Sequence, residues 1–192
     1  MKRNSLRQRG FTMIEILVTI VIVAVGVLGL GAMHLRVQQA EMEAYQRIQA
    51  LTLLSDMVDR INANRQTAQC YAFTAGGGAP YLGATGSGHL AAPTCIGFGS
   101  VATQALAVND MTAWDGYLNG NSETQGGNAV GAMIGARGCV SYDAATGTYT
   151  VAVAWQGLSD MPAPTVSCGD NLYGAETKRR VVWTTLRIAT LI

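Results

Sequence analysis

The sequence predicts an α+β fold in which one long N-terminal α-helix, apolar in its first half and amphipathic in its second, packs on a small antiparallel β-sheet head. Residues 16–33 form an uncharged apolar run of 18 residues, and helical periodicity continues from it to about residue 64. Beyond residue 137, short alternating runs separated by turn formers indicate strands. With 192 residues and 49% hydrophobic content, the chain can supply one core and one membrane segment.

The apolar run is close to the ~20 residues that a bilayer-spanning helix needs. Four of the 13 basic residues of the chain precede it, namely Lys2, Arg3, Arg7 and Arg9. This asymmetry predicts a single-pass protein whose N-terminus is cytoplasmic and whose head is periplasmic. Without the first ten residues the chain keeps nine basic and 12 acidic side chains, which argues against nucleic acid as a partner.

Glu15 is the anomaly of this segment, because a carboxylate just inside a membrane helix is costly unless a partner neutralises it. Together with the basic leader and the Gly-Phe-Thr sequence at residues 10–12, it resembles the type III signal of type IV prepilins. In that family a membrane aspartyl peptidase cuts after the glycine and N-methylates the phenylalanine. The resemblance implies cleavage after Gly10, an N-methylated Phe11, and a pairing of Glu15 with the terminal amine of a neighbouring subunit.

Two other interpretations of this segment remain open. Glu15 could be a snorkelling carboxylate at the bilayer surface with no further role. The segment could also be an ordinary secretory signal peptide, cleaved so that the mature chain starts near His34. The signal-peptide interpretation fits poorly, because the apolar run exceeds the usual 7 to 15 residues and helical patterning continues beyond it.

The prepilin resemblance implies four segments: a leader (1–10), a transmembrane and filament-core half of the helix (11–33), an amphipathic periplasmic half (34–65) and a globular head (66–192). We expect local melting at Gly26, Gly29 and Gly31 on polymerisation. An apolar stripe is expected to face the head, formed by Val37, Ala40, Ala44, Ile48, Leu51, Leu54, Val58 and Ile61. The pairs Glu43 with Arg47 and Asp56 with Arg60, four residues apart, are expected on the solvent side.

Turn formers dominate residues 66–100, which predicts an irregular loop. Residues 101–118 have loosely helical spacing and predict a short helix. A hairpin is expected around Asp143 to Gly147, with Tyr149, Val151, Val153 and Trp155 on one face. The β-branched run 179–192 predicts a last strand.

The four cysteines all follow the apolar run, in a compartment where disulfides persist, so two disulfides are expected. Cys70 with Cys95 and Cys139 with Cys168 are the favoured pairs, although three connectivities are open. No CxxC occurs and the histidines are only two, so neither a metal nor another cofactor is predicted.

The motifs GVLGL, SDMVDRINANR, RGCV and VAVAWQG resemble the PilV kind of minor pilin. This resemblance implies a structural subunit of the type IV pilus that acts in filament initiation, in a tip complex, in adhesion and in twitching motility. The implied partners are prepilin peptidase, other minor pilins, the major pilin, the inner-membrane assembly platform, a tip adhesin and membrane lipid. It would reside in the bacterial inner membrane before assembly and in the filament afterwards. A type II secretion pseudopilin of the I kind is the nearest alternative.

Two alternatives come from other functional classes. A membrane-anchored enzyme would need a convergent polar site, but His89 lies in a glycine-rich loop and the head carboxylates lack motif spacing. An adhesin or DNA-binding module could use the basic cluster of Lys178, Arg179 and Arg180, which we interpret as solvated edge residues.

Overall fold

The computed structural model describes residues 10–122, 124–129, 131 and 133–188. The chain divides into two units, one up to Met42 and the other from Glu43 onward. The helices are α1 (Met13–Ala63), α2 (Ala68–Tyr71) and α3 (Val101–Leu118), with short 3-10 turns at Arg65–Thr67, Gly76–Gly78 and Glu176–Lys178. The strands are β1 (Leu82–Gly83), β2 (Thr124–Gln125), β3 (Asn128–Ala129), β4 (Arg137–Asp143), β5 (Thr148–Gln156) and β6 (Arg179–Leu186).

The first unit consists of the N-terminal part of α1. Thr12 stands one residue before the helix, and its Oγ1 accepts a hydrogen bond from the Glu15 backbone N–H at 3.4 Å. This contact satisfies one of the free N–H groups of the first turn and explains why the helix begins at Met13. By length and composition, α1 includes a stretch that is able to cross a membrane.

Four strands of the second unit form one antiparallel sheet in the order β1-β4-β5-β6. The predicted hairpin is confirmed, with Asp143 ending β4 and Thr148 beginning β5. The predicted last strand is confirmed only as far as Leu186, and residues 189–192 lie outside the described part. Strand β6 is at one edge of the sheet, and its Trp183 is 54% exposed.

The main core lies between the sheet, α3 and the second half of α1. As predicted, α3 spans 101–118, and one face of β5 is buried through Tyr149, Val151, Val153 and Trp155. Trp114 of α3 is fully buried, and its Nε1 donates to the Leu53 carbonyl of α1 at 2.9 Å. Gly138 of β4 lies so close to this indole that a side-chain carbon there would collide with the ring.

The predicted apolar stripe of α1 is wrong as far as Leu51. Ala44, Ile48 and Leu51 are exposed, Ile48 by 64%. The buried line runs instead through Gln46, Ala50, Leu54, Met57 and Ile61. Ile48 and Leu51 on the predicted line are more hydrophobic than Gln46 and Ala50 on the buried line, so apolar spacing alone selected the wrong face of the helix.

The expectations for residues 66–100 and for the helix-surface ion pairs also need correction. Residues 66–100, predicted to be an irregular loop, contain α2 and strand β1, whose Leu82 and Gly83 pair with β4.

The predicted ion pairs of α1 are also different. Arg60 does pair with Asp56, at 2.8 Å, but it also binds Asp110 of α3 and is therefore not on the solvent side. Glu43 forms no ion pair with Arg47 in the described structure.

Candidate assembly site

The residues of the predicted prepilin signal lie just before α1 and in its first turn. Gly10, Phe11 and Glu15 are all exposed, Phe11 by 80%. Thr12 and Glu15 have the spacing of a capping box, a signal that the sequence analysis did not use. A carboxylate in the first turn also interacts favourably with the positive end of the helix dipole.

Nearly every large apolar side chain between Phe11 and Val37 is exposed. Such a surface is stable only when lipid or other protein covers it. The helix remains unbroken through Gly26, Gly29 and Gly31, whose missing side chains would meet no atom within 4 Å.

Glu43 fastens α1 to the loop that follows β5. Its Oε1 accepts hydrogen bonds from the backbone N–H groups of Leu158 and Ser159, at 2.9 and 2.8 Å, and from Ser159 Oγ at 2.8 Å. Arg180 lies 3.6 Å from the same oxygen. Partial burial alone would raise the pKa of Glu43, but these donors and the Arg180 charge outweigh it and lower the pKa.

The side chains of the basic cluster are paired with acids and largely covered, so their interpretation as solvated edge residues is wrong. The side chain of Arg179 is 3% exposed and pairs with Asp170 and Glu176. Arg180 faces Glu43, and Lys178 pairs with Asp160 at 3.3 Å. These ion pairs therefore connect the start of β6 to neighbouring loops and to α1. The cluster offers little free positive charge to a polyanion.

A second polar network lies at the far end of α1. The Asp110 carboxylate accepts from Arg60 Nη1 at 2.7 Å and from the Tyr71 hydroxyl at 2.5 Å. Burial first, and then the bond to Asp110, raise the pKa of Tyr71. Asn64 also donates to the Tyr71 hydroxyl, at 3.2 Å. This network ties α1, α2 and α3 together.

His89 has a carboxylate neighbour that the sequence did not predict. Its Nε2 lies 2.9 Å from Asp115 Oδ1, which also accepts the Gly83 backbone N–H at 2.7 Å. Among the described residues, no hydroxyl or thiol is hydrogen-bonded to His89, as a nucleophile in a catalytic triad would be. The pair therefore fastens the loop after β1 to α3.

Two disulfides join Cys70 to Cys95 and Cys139 to Cys168, the same pairs that the sequence analysis favoured. The first links α2 to the loop before α3, and the second links β4 to the loop before β6. No group of three or more potential metal ligands occurs in the described part of the chain.

Comparison with protein-family models gives two matches that together span residues 5–111, which include all of α1 and the first part of α3. The prokaryotic N-terminal methylation motif matches residues 5–31. The family described as type IV pilin Tt1218 matches residues 32–111. The chain is a type IV pilin-like precursor.

Neither a search of curated proteins nor a search of solved structures found a match to this pilin. Its architecture, a long N-terminal helix and a small antiparallel sheet, is consistent with the type IV pilin fold. The family is structural and non-enzymatic, and membership implies processing by prepilin peptidase and interaction with other pilins. The methylation motif and the apolar helix fit anchoring in the inner membrane before assembly into a pilus.

Proposed function

We propose that this pilin is a minor pilin of the PilV kind, which helps to initiate type IV pilus assembly and contributes to a tip complex. Cleavage after Gly10 removes the basic leader and frees the Phe11 amine, which is then methylated. The segments 11–33, 34–65 and 66–192 serve as membrane and filament-core helix, periplasmic helix and periplasmic head. The assembly platform, a tip adhesin and the other pilins are its partners.

The observation that carries this proposal is an exposed carboxylate, Glu15, in the first turn of a helix whose apolar side chains are themselves exposed. When lipid or neighbouring helices cover that surface, the low dielectric strengthens any charge pair formed there. The terminal amine of Phe11 in a neighbouring subunit would supply the missing cation. Removal of one partner from such a pair leaves an unpaired charge in an apolar environment, which is strongly unfavourable.

The proposed processing is tested by sequencing the mature N-terminus after purification from membranes. We expect a chain that starts at methylated Phe11. A start near His34 would instead establish an ordinary secretory signal and end the proposal.

The assembly role is tested with Glu15→Ala in cells that express the full precursor. We expect normal cleavage but loss of the subunit from sheared fibres, while Glu15→Asp retains partial incorporation. Glu41→Ala is the matched control, because Glu41 lies on the same helix and is exposed. Wild-type levels of the Glu15→Ala subunit in fibres would refute the role.

The filament system is tested with a deletion strain. We expect fewer pili and reduced twitching motility, with type II secretion unaffected. A secretion defect with normal piliation would replace this proposal with the pseudopilin of the I kind.

A further inference from the structure

Strand β6 leaves one edge of the main sheet unpaired. Its pairing with β5 is continuous and without a bulge. Gly157 and Lys178 continue the same register, and the Gly157 N–H donates to the Lys178 carbonyl at 2.7 Å. The even-numbered residues of β6 therefore bond to β5, and the odd-numbered ones direct their N–H and C=O groups outward. Within the described part of the chain, nothing bonds to the outward backbone groups of Val181, Trp183 or Thr185.

This edge lacks the features that usually prevent pairing with another chain. Natural edge strands are protected by charged side chains, proline, bulges or a covering element. Residues 181–186, with the sequence VVWTTL, include neither a charged residue nor a proline. The basic residues at 178–180 are bound to acids of their own chain, so their charges do not guard the edge. An unguarded edge of this kind favours the addition of a further strand.

The chemistry of the edge selects an extended strand over other partners. The free N–H and C=O groups recur at every second residue, and the backbone of another strand offers the same groups at the same repeat. A helix uses its backbone groups internally, and the acyl chains of lipid have no hydrogen-bonding groups to offer. An exposed indole, that of Trp183, lies at the middle of the free segment.

Strand β6 is complementary to a second copy of itself. Antiparallel pairing centred on Trp183 places Val181 of one copy opposite Thr185 of the other. Every outward residue of this segment then meets another outward residue, so the free donors and acceptors satisfy each other. On the side-chain level, β-branched residues face each other on both sides of a central pair of indoles, and both kinds of cross-strand pair are favourable.

The charges at the two ends of β6 fit the same pairing. Arg179 is paired with both Asp170 and Glu176, whose side chains are 40% and 27% exposed, so this group carries one surplus negative charge. Arg187 is exposed, forms no ion pair with a described residue, and donates from Nε to Thr148 Oγ1 at 3.1 Å. Pairing centred on Trp183 places Arg187 opposite Arg179 of the second copy, where its charge is attracted to the surplus acid.

We propose that two copies of this pilin pair through their β6 edges and form one continuous antiparallel sheet. The contact uses the same surface on both copies, so it closes at two and does not itself extend a filament. Its two-fold axis is perpendicular to the sheet and reverses the direction of everything packed on it. The contact therefore joins the heads of free subunits or of separate filaments, and it does not depend on the proposed role in pilus initiation.

The test uses the mature full-length protein in detergent micelles, studied by sedimentation velocity between about 5 and 200 µM. We expect a reversible monomer–dimer equilibrium with a dissociation constant on the order of 10–100 µM, because the interface is small. Hydrogen exchange resolved by residue then locates the contact. In the dimer the N–H groups of Val181, Trp183 and Thr185 should exchange about tenfold more slowly or less, whereas those of Val182 and Thr184 are already bonded to β5 and should not change.

Two variants test the contact by different means. Thr185→Pro removes an outward N–H without removing a bond to β5, and it should abolish the dimer. Thr185→Val keeps that N–H and is its control. Arg187→Glu leaves the backbone intact and places an acid beside the surplus negative charge, so the dissociation constant should rise about tenfold. Arg187→Lys keeps the charge and should still dimerise.

A protein that remains monomeric over the whole concentration range overturns the proposal. A dimer that persists undiminished in both Thr185→Pro and Arg187→Glu forms through another surface and also overturns it. If the odd-numbered N–H groups are protected in sheared fibres but not in the concentrated purified protein, a strand of another pilin covers the edge and pairing between copies is refuted. Because association is measured on the purified protein, its outcome is separate from that of the Glu15 experiments.

Discussion

Glu43 and Ser159 are joined by two hydrogen bonds although they are 116 positions apart in the chain. With the Leu158 N–H, three donors converge on one carboxylate oxygen. Glu43→Ala should lower the free energy of unfolding by about 1–2 kcal/mol, since bonds to a charged acceptor are lost and two backbone donors must find water. Urea denaturation followed by tryptophan fluorescence measures the change. Glu41→Ala is the control and should be neutral within experimental error.

The same carboxylate makes stability depend on pH. The pKa of Glu43 is lower in the folded protein than in the unfolded chain. Its contribution is therefore complete above the unfolded pKa of about 4.3 and is lost as the pH falls through the folded pKa. Between about pH 5 and pH 3 the stability of Glu43→Ala should decline less steeply than that of the wild type. Parallel declines would show that Glu43 is not linked to folding.

Asp110 should be the most sensitive carboxylate of the head. Asp110→Ala leaves the Arg60 guanidinium and the Tyr71 hydroxyl without their shared acceptor, at a cost of about 3 kcal/mol. Asp110→Asn keeps an acceptor oxygen and should cost less. The adjacent exposed Asn109 provides the control, and Asn109→Ala should change the denaturation midpoint little. Equal midpoints for Asp110→Ala and the control would contradict the assigned role.

The two disulfides should differ in their effect on stability. Their sequence separations of 25 and 29 residues give similar loop-closure contributions of about 3–4 kcal/mol each. Both sulfurs of the Cys139–Cys168 bridge are in buried residues, whereas Cys95 is only partly buried. The double variant C139A/C168A should therefore lose more stability than C70A/C95A. Peptide mapping without reduction tests the pairing itself, and any cross-linked Cys70–Cys139 peptide would contradict it.

Local patterns were enough to predict the elements that depend on nearby residues. Helix α3 shows apolar spacing over 101–118, and the hairpin shows two alternating runs around a turn. Strand β1 escaped prediction because it has only two residues, and distant groups hold it: β4 pairs with it and Asp115 accepts the Gly83 N–H. No local signal encodes such contacts.

The partners of the charged residues could not be predicted from local sequence either. Glu43 and Arg47 have favourable helical spacing, yet Glu43 binds Ser159 and Arg180, because three oriented donors and a cation outweigh one exposed pair. Three consecutive basic residues at 178–180 suggest a solvent-exposed position. Their acidic partners include Asp170 and Glu43, which come from separate segments and cannot be recognised from the local sequence. By contrast, the prepilin signal is contiguous, so short-range spacing alone made it recognisable.

The three tryptophans of the chain are placed so that they can report separate events by their optical signals. Trp114 and Trp155 are buried and will change their emission only when the core opens, whereas Trp183 on the sheet edge emits from a water-exposed site. A quencher such as iodide would reach Trp183 alone in the native pilin. Fluorescence of this one indole can therefore follow the approach of another molecule to the β6 edge without any label, while the other two monitor folding.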